Sequence, residues 1–140
     1  MVGEVTRINP AIINTLSAQG FIPIIAPVGA GSEGETYNIN ADLVASHIAV
    51  ALSAGRLILL TDVDGVMDAT GALISSIDSE TISRMIKDGS ISGGMIPKIE
   101  YALKAIRNGV EKVPIINGKR RHAILLELFT DRGIGTEVTE

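Results

Sequence analysis

The sequence predicts an α/β protein, a three-layer α/β/α sandwich with a mainly parallel sheet. Two apolar runs, residues 21–26 (FIPIIA) and residues 56–61 (RLILLT), are typical of strands that are buried on both faces. Helical segments separate such runs, and strands that alternate with helices indicate parallel pairing. With 140 residues, of which 46% are hydrophobic, the chain has the size of one domain, so we expect a single domain over residues 1–140.

The first part of the chain is predicted to hold a helix between two strands. Residues 2–6 alternate in polarity, which predicts a short strand. Asn9 and Pro10 are typical of a helix start and Gly20 of a helix end, so a helix is expected between them. Residues 21–26 then form the first buried strand, and a loop rich in glycine, serine and glutamate follows it.

The start of the next helix carries more polar groups than a helix start requires. Asn40 is a suitable N-cap, because its side-chain oxygen accepts an N–H that the first turn leaves unpaired. Asp42 falls in the first turn, where the helix dipole favours a carboxylate. Asn38 adds a second amide, and one amide suffices for a cap. The stretch therefore indicates a ligand site as well as a helix start.

The remaining elements follow from the same signals. After the strand at residues 56–61 we expect a helix at residues 79–88 that Gly89 stops, and a helix from Met95 or Pro97 to Gly109. A strand at residues 112–117, a helix at 121–129 and a last edge strand at 135–139 complete the prediction. Ligands of such sheets bind at the carboxyl ends of the strands, so the loops that start at Val28, Asp62 and Asn117 are the candidate ligand-binding loops.

Composition and charge exclude several classes of function. The chain has no cysteine, so it has no disulfide and no thiolate metal site, and this suits a cytoplasmic protein. A net charge of −4 and an aromatic content of 3% argue against a nucleic-acid partner. No apolar run is long enough to span a membrane, and the N-terminus has no signal-peptide pattern. We therefore expect no nucleic-acid and no membrane partner.

Two loop motifs allow alternative interpretations. Residues 29–34 (GAGSEG) have the glycine spacing of a dinucleotide fingerprint, but further residues separate them from the next helix, so a flexible surface loop is the better interpretation. Residues 59–66 (LLTDVDGV) resemble the motif of haloacid-dehalogenase-like phosphatases, in which Asp62 would be the nucleophile and Asp64 the acid/base. The second acidic pair of those enzymes is missing after Lys98. The phosphatase stays as an alternative, as does a nucleotide-binding module without catalysis.

A third motif, residues 92–98 (SGGMIPK), places Lys98 at a helix start after a flexible turn. Backbone N–H groups and an ammonium at such a place act on the same side, which favours an anion such as a phosphate. An exposed lysine on a helix with a glycine-rich entry is the alternative interpretation, and this motif alone leaves both open.

Several stretches, in this order, carry a resemblance to one known family. They are YNINAD at 37–42, LLTDVDGV at 59–66, GGMIPK at 93–98, IING at 115–118, HAILLE at 122–127 and GIGT at 133–136. The chain resembles the carboxyl-terminal half of the acetylglutamate kinases in the amino acid kinase family. The resemblance implies phosphoryl transfer from ATP, with its Mg²⁺, to the side-chain carboxylate of N-acetyl-L-glutamate. The family's amino-terminal half, with a further catalytic lysine and most of the acceptor pocket, has no counterpart here, so we expect the chain alone to be inactive.

The resemblance also implies roles for particular residues. Lys98 would neutralise charge on the transferring phosphoryl group, and Asp42 would organise the catalytic lysines. Asn38 would bind the amino acid substrate, with Asn40 beside it. The nucleotide-binding positions would be Thr61, Asp62, Val63, Asp64, Gly65, Val66, Met67, Ser90, Ile91 and Ser92. An arginine effector would bind near His122, Glu127 and Gly133. Members of the family are homo-oligomers, and no metal site made of protein side chains is expected.

Overall fold

The computed structural model describes residues 2–140 and has helices and strands in alternation, as an α/β fold requires. The helices are α1 Ala11–Ala18, α2 Ala41–Ala51, α3 Ser79–Lys87, α4 Met95–Arg107 and α5 Ala123–Phe129. The strands are β1 Val28–Ala30, β2 Thr36–Asn38, β3 Leu59–Thr61, β4 Ser76–Ile77, β5 Val113–Asn117 and β6 Thr136–Val138. None of these helices is both long and apolar enough to cross a membrane.

The main sheet has four strands in the order β3-β5-β6-β4. β3 pairs with β5 in parallel, with Leu59 opposite Ile115, and β4 pairs with β6 in parallel, whereas β5 and β6 are antiparallel. Two of the three pairings are therefore parallel, which confirms the predicted mainly parallel sheet. The predicted edge position of the last strand is wrong, because the two-residue strand β4, which the sequence did not indicate, pairs with β6 on its outer side.

Helices cover both faces of the sheet. Side chains alternate along a strand, so Val113 and Ile115 of β5 share one face and Ile116 points to the other. Val113 and Ile115 belong to a buried cluster with Ile99 of α4 and are themselves fully buried. Ile116 and Ala123, at the start of α5, are also buried but lie outside that cluster. These two layers of helices around the sheet give the sandwich that the sequence predicted.

The helix ends follow their local sequence. α3 is capped by Asp78, whose side chain accepts from the Thr81 N–H at 2.7 Å, and Gly89 with a φ of +82° follows its end. α4 ends before Gly109, whose φ is +98°. A positive φ of this size favours glycine, which explains why both helices stop close to the predicted positions.

The strand predicted at residues 21–26 is wrong. The structure has no strand there, and the exposed fractions of Ile22 and Ile24 are 89% and 97%. A strand needs a neighbour for its backbone N–H and C=O groups, and within residues 2–140 no strand pairs with this run. Residues 2–6 are also not a strand, since only Val2 forms an isolated bridge, with Asn38.

The glycine-rich loop after this run is a β-hairpin rather than the flexible loop that the sequence suggested. β1 and β2 pair in antiparallel fashion, with Val28 opposite Asn38. In the turn, Glu35 accepts through its carboxylate from the Glu33 N–H at 3.0 Å and from the Tyr37 hydroxyl at 3.1 Å. A hydrogen bond from its own backbone N–H is the largest cause of the lowered pKa of Glu35, and the bonds from Tyr37 and Glu33 lower this pKa further. The pairing of β1 with β2 and the hydrogen bonds in the turn explain why this loop has a defined structure.

Candidate active site

Asn40 forms the N-cap of α2, as predicted. Its Oδ1 accepts from the backbone N–H groups of Asp42 at 2.9 Å and Leu43 at 3.2 Å. These two bonds satisfy groups that a helix start otherwise leaves unpaired. They also fix the first turn, so that the Asp42 carboxylate projects from a defined backbone position beside the positive end of the helix dipole.

Lys98 and Asp42 form an ion pair between the first turns of α4 and α2. Lys98 Nζ lies 2.7 Å from Asp42 Oδ2 and 3.2 Å from the carbonyl oxygen of Leu60, the middle residue of β3. The Lys98 side chain is 12% exposed and the Asp42 side chain 28%. An ammonium has three N–H donors, and these two bonds leave one for an anionic ligand. The structure therefore brings both predicted catalytic residues together.

The start of α4 also suits an anion. Its N-cap is Gly94, and its first turn has no acidic residue. The N–H groups of residues 95 and 96 donate to carbonyl oxygens of the preceding turn at 3.3 Å, and Pro97 has no N–H. The preceding Gly93 has a φ of +57°, which lets the chain turn sharply into the helix. The positive end of the helix dipole thus lies beside Lys98, and a phosphate would gain from the dipole and the ammonium rather than from free N–H groups.

The loop of residues 61–67 begins at the last residue of β3 and is hydrogen-bonded to the segment that ends β5. Asn117 Nδ2 donates to Asp64 Oδ1 at 2.8 Å, and the Gly118 N–H donates to the Thr61 carbonyl oxygen at 2.8 Å. Lys119 Nζ lies 3.5 Å from Asp62 Oδ2, in a pair whose side chains are 72% and 74% exposed. Because β3 and β5 are parallel neighbours, both loops leave the same edge of the sheet.

The predicted nucleotide-binding residues divide into buried and exposed positions. Val66 and Ile91 are each 3% exposed and belong to one core cluster, so their side chains anchor the two segments. Asp62, Asp64, Ser90 and Ser92 are among the exposed positions that a ligand could touch. The turn after α3, which carries Ser90, is held by a hydrogen bond from the Ser90 N–H to the Asp88 carboxylate at 2.9 Å.

This geometry has counterparts in known proteins. The sequence profile of the amino acid kinase family matches residues 1–117. The chain belongs to the amino acid kinase family. It is 55% identical over 138 residues to the acetylglutamate kinase of Syntrophobacter fumaroxidans and 56% identical over 137 residues to that of Geobacter sulfurreducens. These alignments cover 99% and 98% of this chain but only 46% and 47% of the two relatives, so the chain spans about half their length.

Solved structures show the same amino acid kinase fold. The N-acetylglutamate synthase of Neisseria gonorrhoeae, in complex with coenzyme A and L-arginine, superposes with a TM-score of 0.91 at 28% identity. The match covers 99% of this chain and 32% of that one. An isopentenyl phosphate kinase superposes with a TM-score of 0.73 at 26% identity, covering 98% of this chain and 53% of that one. Family membership favours phosphoryl transfer over the phosphatase interpretation of Asp62 and Asp64.

The three residues that were predicted to bind arginine do not form one group. Glu127 Oε2 accepts from the Ile134 N–H at 2.8 Å. Gly133 lies against the same carboxylate, since a Cβ on it would be 2.6 Å from Oε2. His122, at the other end of α5, lines a separate recess with Leu60 and Arg120. The structure thus brings Glu127 and Gly133 together and places His122 elsewhere.

Two residues that shape the site, Asn117 and Thr136, were assigned no function from the sequence. Asn117 could have been found, because a polar residue at the end of an apolar strand lies at the ligand-binding edge of the sheet. Thr136 could not, because nothing near it in the sequence indicates that its hydroxyl accepts from the Val66 N–H at 2.8 Å, 70 positions away.

Proposed function

We propose that this chain supplies the nucleotide-binding part of an enzyme that transfers a phosphoryl group from ATP to the side-chain carboxylate of N-acetyl-L-glutamate. The observation that carries the proposal is the Lys98 ammonium, which Asp42 and the Leu60 carbonyl hold at 2.7 and 3.2 Å with one donor left. The acceptor is proposed from the relatives, which are acetylglutamate kinases at 55% and 56% identity. A cytoplasmic location and a role in arginine biosynthesis belong to the same proposal.

The chemistry requires fixed positive charge more than covalent catalysis. In phosphoryl transfer, charge spreads over the oxygens of the group in flight, and preorganised donors stabilise it. Lys98 is such a donor, because its ion pair holds the ammonium in place before the substrate binds. Asp42 acts through Lys98, and its loss would leave a largely buried ammonium without its partner. The positive end of the α4 dipole adds to the field.

The groups that would receive ATP lie at one edge of the sheet and at one helix start. Residues 61–67 follow β3, and the Leu60 carbonyl that precedes them contacts Lys98. Mg²⁺ would be bound by the phosphates of the nucleotide and would offset their charge, since among residues 2–140 no three histidine or acidic side chains form a metal cage.

On the acceptor side, the two asparagines have different roles. Asn40 Oδ1 is occupied by two N–H groups of α2, so its part in substrate binding would fall to Nδ2. Asn38 is exposed at the end of β2, next to the start of α2, and its side chain projects from a hairpin. We assign contact with the amino acid substrate to Asn38 and positioning of α2 to Asn40.

An arginine effector would occupy the polar recess beside Glu127. Its charged lining residues are Arg56, Lys112, Glu127, Asp131, Arg132 and Glu137. Acidic and basic groups side by side suit a ligand that carries a guanidinium, an amine and a carboxylate. The fold is shared with a synthase whose structure contains L-arginine, which supports the proposal without identifying the site.

Titration calorimetry of the chain with ATP and Mg²⁺ tests the nucleotide part of the proposal. We expect weak binding that Lys98→Met leaves nearly unchanged, because the charge of Lys98 matters most as charge develops on the phosphoryl group. Lys87→Met, at an exposed position in the last turn of α3, should have no effect. A folded chain that releases no heat at millimolar nucleotide would contradict the proposal. Binding that persists without any catalysis in a full-length protein would favour the non-catalytic module.

A further inference from the structure

The loop of residues 61–67 is fastened at two points by side chains that are distant in the sequence. Asn117, the last residue of β5, donates through Nδ2 to Asp64 Oδ1 at 2.8 Å. Thr136 of β6 accepts through Oγ1 from the Val66 N–H at 2.8 Å and donates to the Ile74 carbonyl oxygen at 2.7 Å. Residues 62–66 have no helix or strand, so such contacts decide whether the loop has one conformation.

The neighbours of Asn117 determine how its amide is oriented. Its Oδ1 accepts from the Lys119 N–H at 2.9 Å, and its Nδ2 therefore faces Asp64. A backbone N–H only donates and an ionised carboxylate only accepts, so the reversed amide would present the wrong group to both partners. The half-buried Asn117 side chain thus acts as a bridge between the loops that follow β3 and β5.

Thr136 fastens the loop from inside the core. Its side chain is fully buried, and its hydroxyl uses both its donor and an acceptor direction. Gly65 has a φ of +141°, and a Cβ on it would lie 2.6 Å from Thr136 Oγ1. The loop backbone therefore passes directly against β6, at a distance and in a conformation that favour glycine.

We propose that Asn117 and Thr136 are positioning residues for nucleotide binding, which hold residues 61–67 in their binding conformation before the nucleotide arrives. The inference rests on the proposed function, in which this loop contacts ATP. A loop that is already ordered loses less conformational entropy on binding, so the affinity for the nucleotide is higher. Neither residue touches the nucleotide; both act through the backbone of the loop and through Asp64.

Asn117→Ala tests the outer fastening point with two measurements on the chain. We expect amide hydrogen exchange of residues 62–66 to become about tenfold faster without nucleotide, and the Kd for Mg-ATP to rise about tenfold, as the loss of a hydrogen bond to a charged group implies. Asn108→Ala is the matched control, since Asn108 donates to the Lys104 carbonyl oxygen at the other end of α4. It should leave both quantities unchanged.

Two further variants separate positioning from general stability. The double variant Asp64→Asn with Asn117→Asp reverses donor and acceptor at constant net charge, and we expect it to restore slow exchange. Thr136→Ser keeps the hydroxyl and should exchange like the unchanged chain, whereas Thr136→Val should speed the exchange of Val66 and its neighbours. Thermal unfolding of each variant shows that the chain is folded at the temperature of the measurement.

The outcomes distinguish this inference from the proposed function. Unchanged exchange in Asn117→Ala and Thr136→Val would overturn the inference while leaving nucleotide binding in place. Faster exchange with an unchanged Kd would overturn it as well, because the loop order would then not matter for the nucleotide. If the folded, unmodified chain binds no Mg-ATP, both the proposed function and the inference are contradicted. Hydrogen exchange of the chain without nucleotide still shows whether Asn117 and Thr136 hold the loop in place.

Discussion

Residues 2–38 and residues 39–140 differ in what their apolar side chains contact. No described side chain before Ile39 is buried, and in the apolar run at residues 21–26 Ile24 is 97% exposed. In the second region the run of β5 is buried on both faces, with Ile115 and Ile116 fully covered. β5 has paired neighbours in β3 and β6, and residues 21–26 have none within residues 2–140. An apolar run therefore becomes a buried strand only where neighbouring strands exist.

We call residues 2–38 the open region and residues 39–140 the closed region. The open region lies over an incompletely filled space. A groove of about 370 Å³ is lined by Pro23 and Ile25, by Ile48 of α2 and by Leu52, the C-cap of that helix. The ion pair of Lys98 and the fastened loop of residues 61–67 lie in the closed region, whereas Asn38 lies in the open one. The relatives have about twice this length, and we expect their amino-terminal half to supply the missing neighbours.

The largest expected effect concerns Lys98, in the closed region. In a protein that joins this chain to the amino-terminal half of the Syntrophobacter fumaroxidans relative, Lys98→Ala should lower kcat on the order of 10²–10³-fold. The KM for ATP should change little, because the charge of Lys98 matters most as charge develops on the phosphoryl group. Steady-state ADP release measures both constants. A rise in KM at constant kcat would assign Lys98 to ground-state binding alone.

The next prediction compares two isoleucines in apolar runs. Ile115→Ala should lower the free energy of unfolding by about 2–5 kcal/mol, because it leaves a cavity in a fully covered position. Ile24→Ala should change it by less than about 0.5 kcal/mol in this chain, since Ile24 is 97% exposed. Urea unfolding of the chain gives both values. A loss of several kcal/mol for Ile24→Ala would show that residues 21–26 pack within this chain after all.

A smaller effect is expected where the two regions meet. Asn40→Ala should destabilise the chain by about 1 kcal/mol, because it removes the N-cap of α2. Asn40→Asp, which keeps an accepting oxygen, should cost much less, and Asn38→Ala should have almost no effect on stability. Equal losses for Asn38→Ala and Asn40→Ala in urea unfolding would contradict this division of roles.

The smallest expected effect is a pH dependence that belongs to the closed region. Burial, and secondarily the charge of Lys104, lowers the pKa of His47, whose Nε2 lies 3.2 Å from Lys104 Nζ. Protonation is thus less favourable in the folded state, so stability should fall as the pH drops from about 6.5 towards the lower folded pKa. His47→Gln should reduce this loss between pH 7.5 and 5.5. An unchanged pH dependence of the urea midpoint in that variant would exclude His47 as its cause.

The sequence predicted those elements whose signals are local. α4 and β5 lie close to their predicted positions, since glycine at a helix end and an unbroken apolar run are visible in a short window. The strand prediction for residues 21–26 was wrong for the same reason, because a short stretch of sequence does not show whether a partner strand exists. The central position of β6 depended on β4, which has only two residues and too little sequence to carry a pattern.

The site was predictable in part. The polar residues around Asp42 indicated a ligand site, the motif around Lys98 left an anion site open, and the resemblance assigned the roles of both residues. Their contact at 2.7 Å is a finding of the structure. The bridge from Asn117 to Asp64 spans 53 positions, and a single sequence does not reveal which distant residues meet. The sequence therefore did not predict which side chains of other strands hold the loop of residues 61–67 in place.

One measurement tests most directly the claim that the closed region carries the phosphoryl-transfer apparatus and needs the missing half to use it. ADP release, with and without N-acetyl-L-glutamate, is compared between the 140-residue chain and the joined protein. We expect acetylglutamate-dependent turnover in the joined protein only, and its loss in the joined Lys98→Ala variant. Acetylglutamate-dependent turnover by the chain alone would contradict the claim, as would a folded joined protein that binds Mg-ATP and transfers nothing to acetylglutamate.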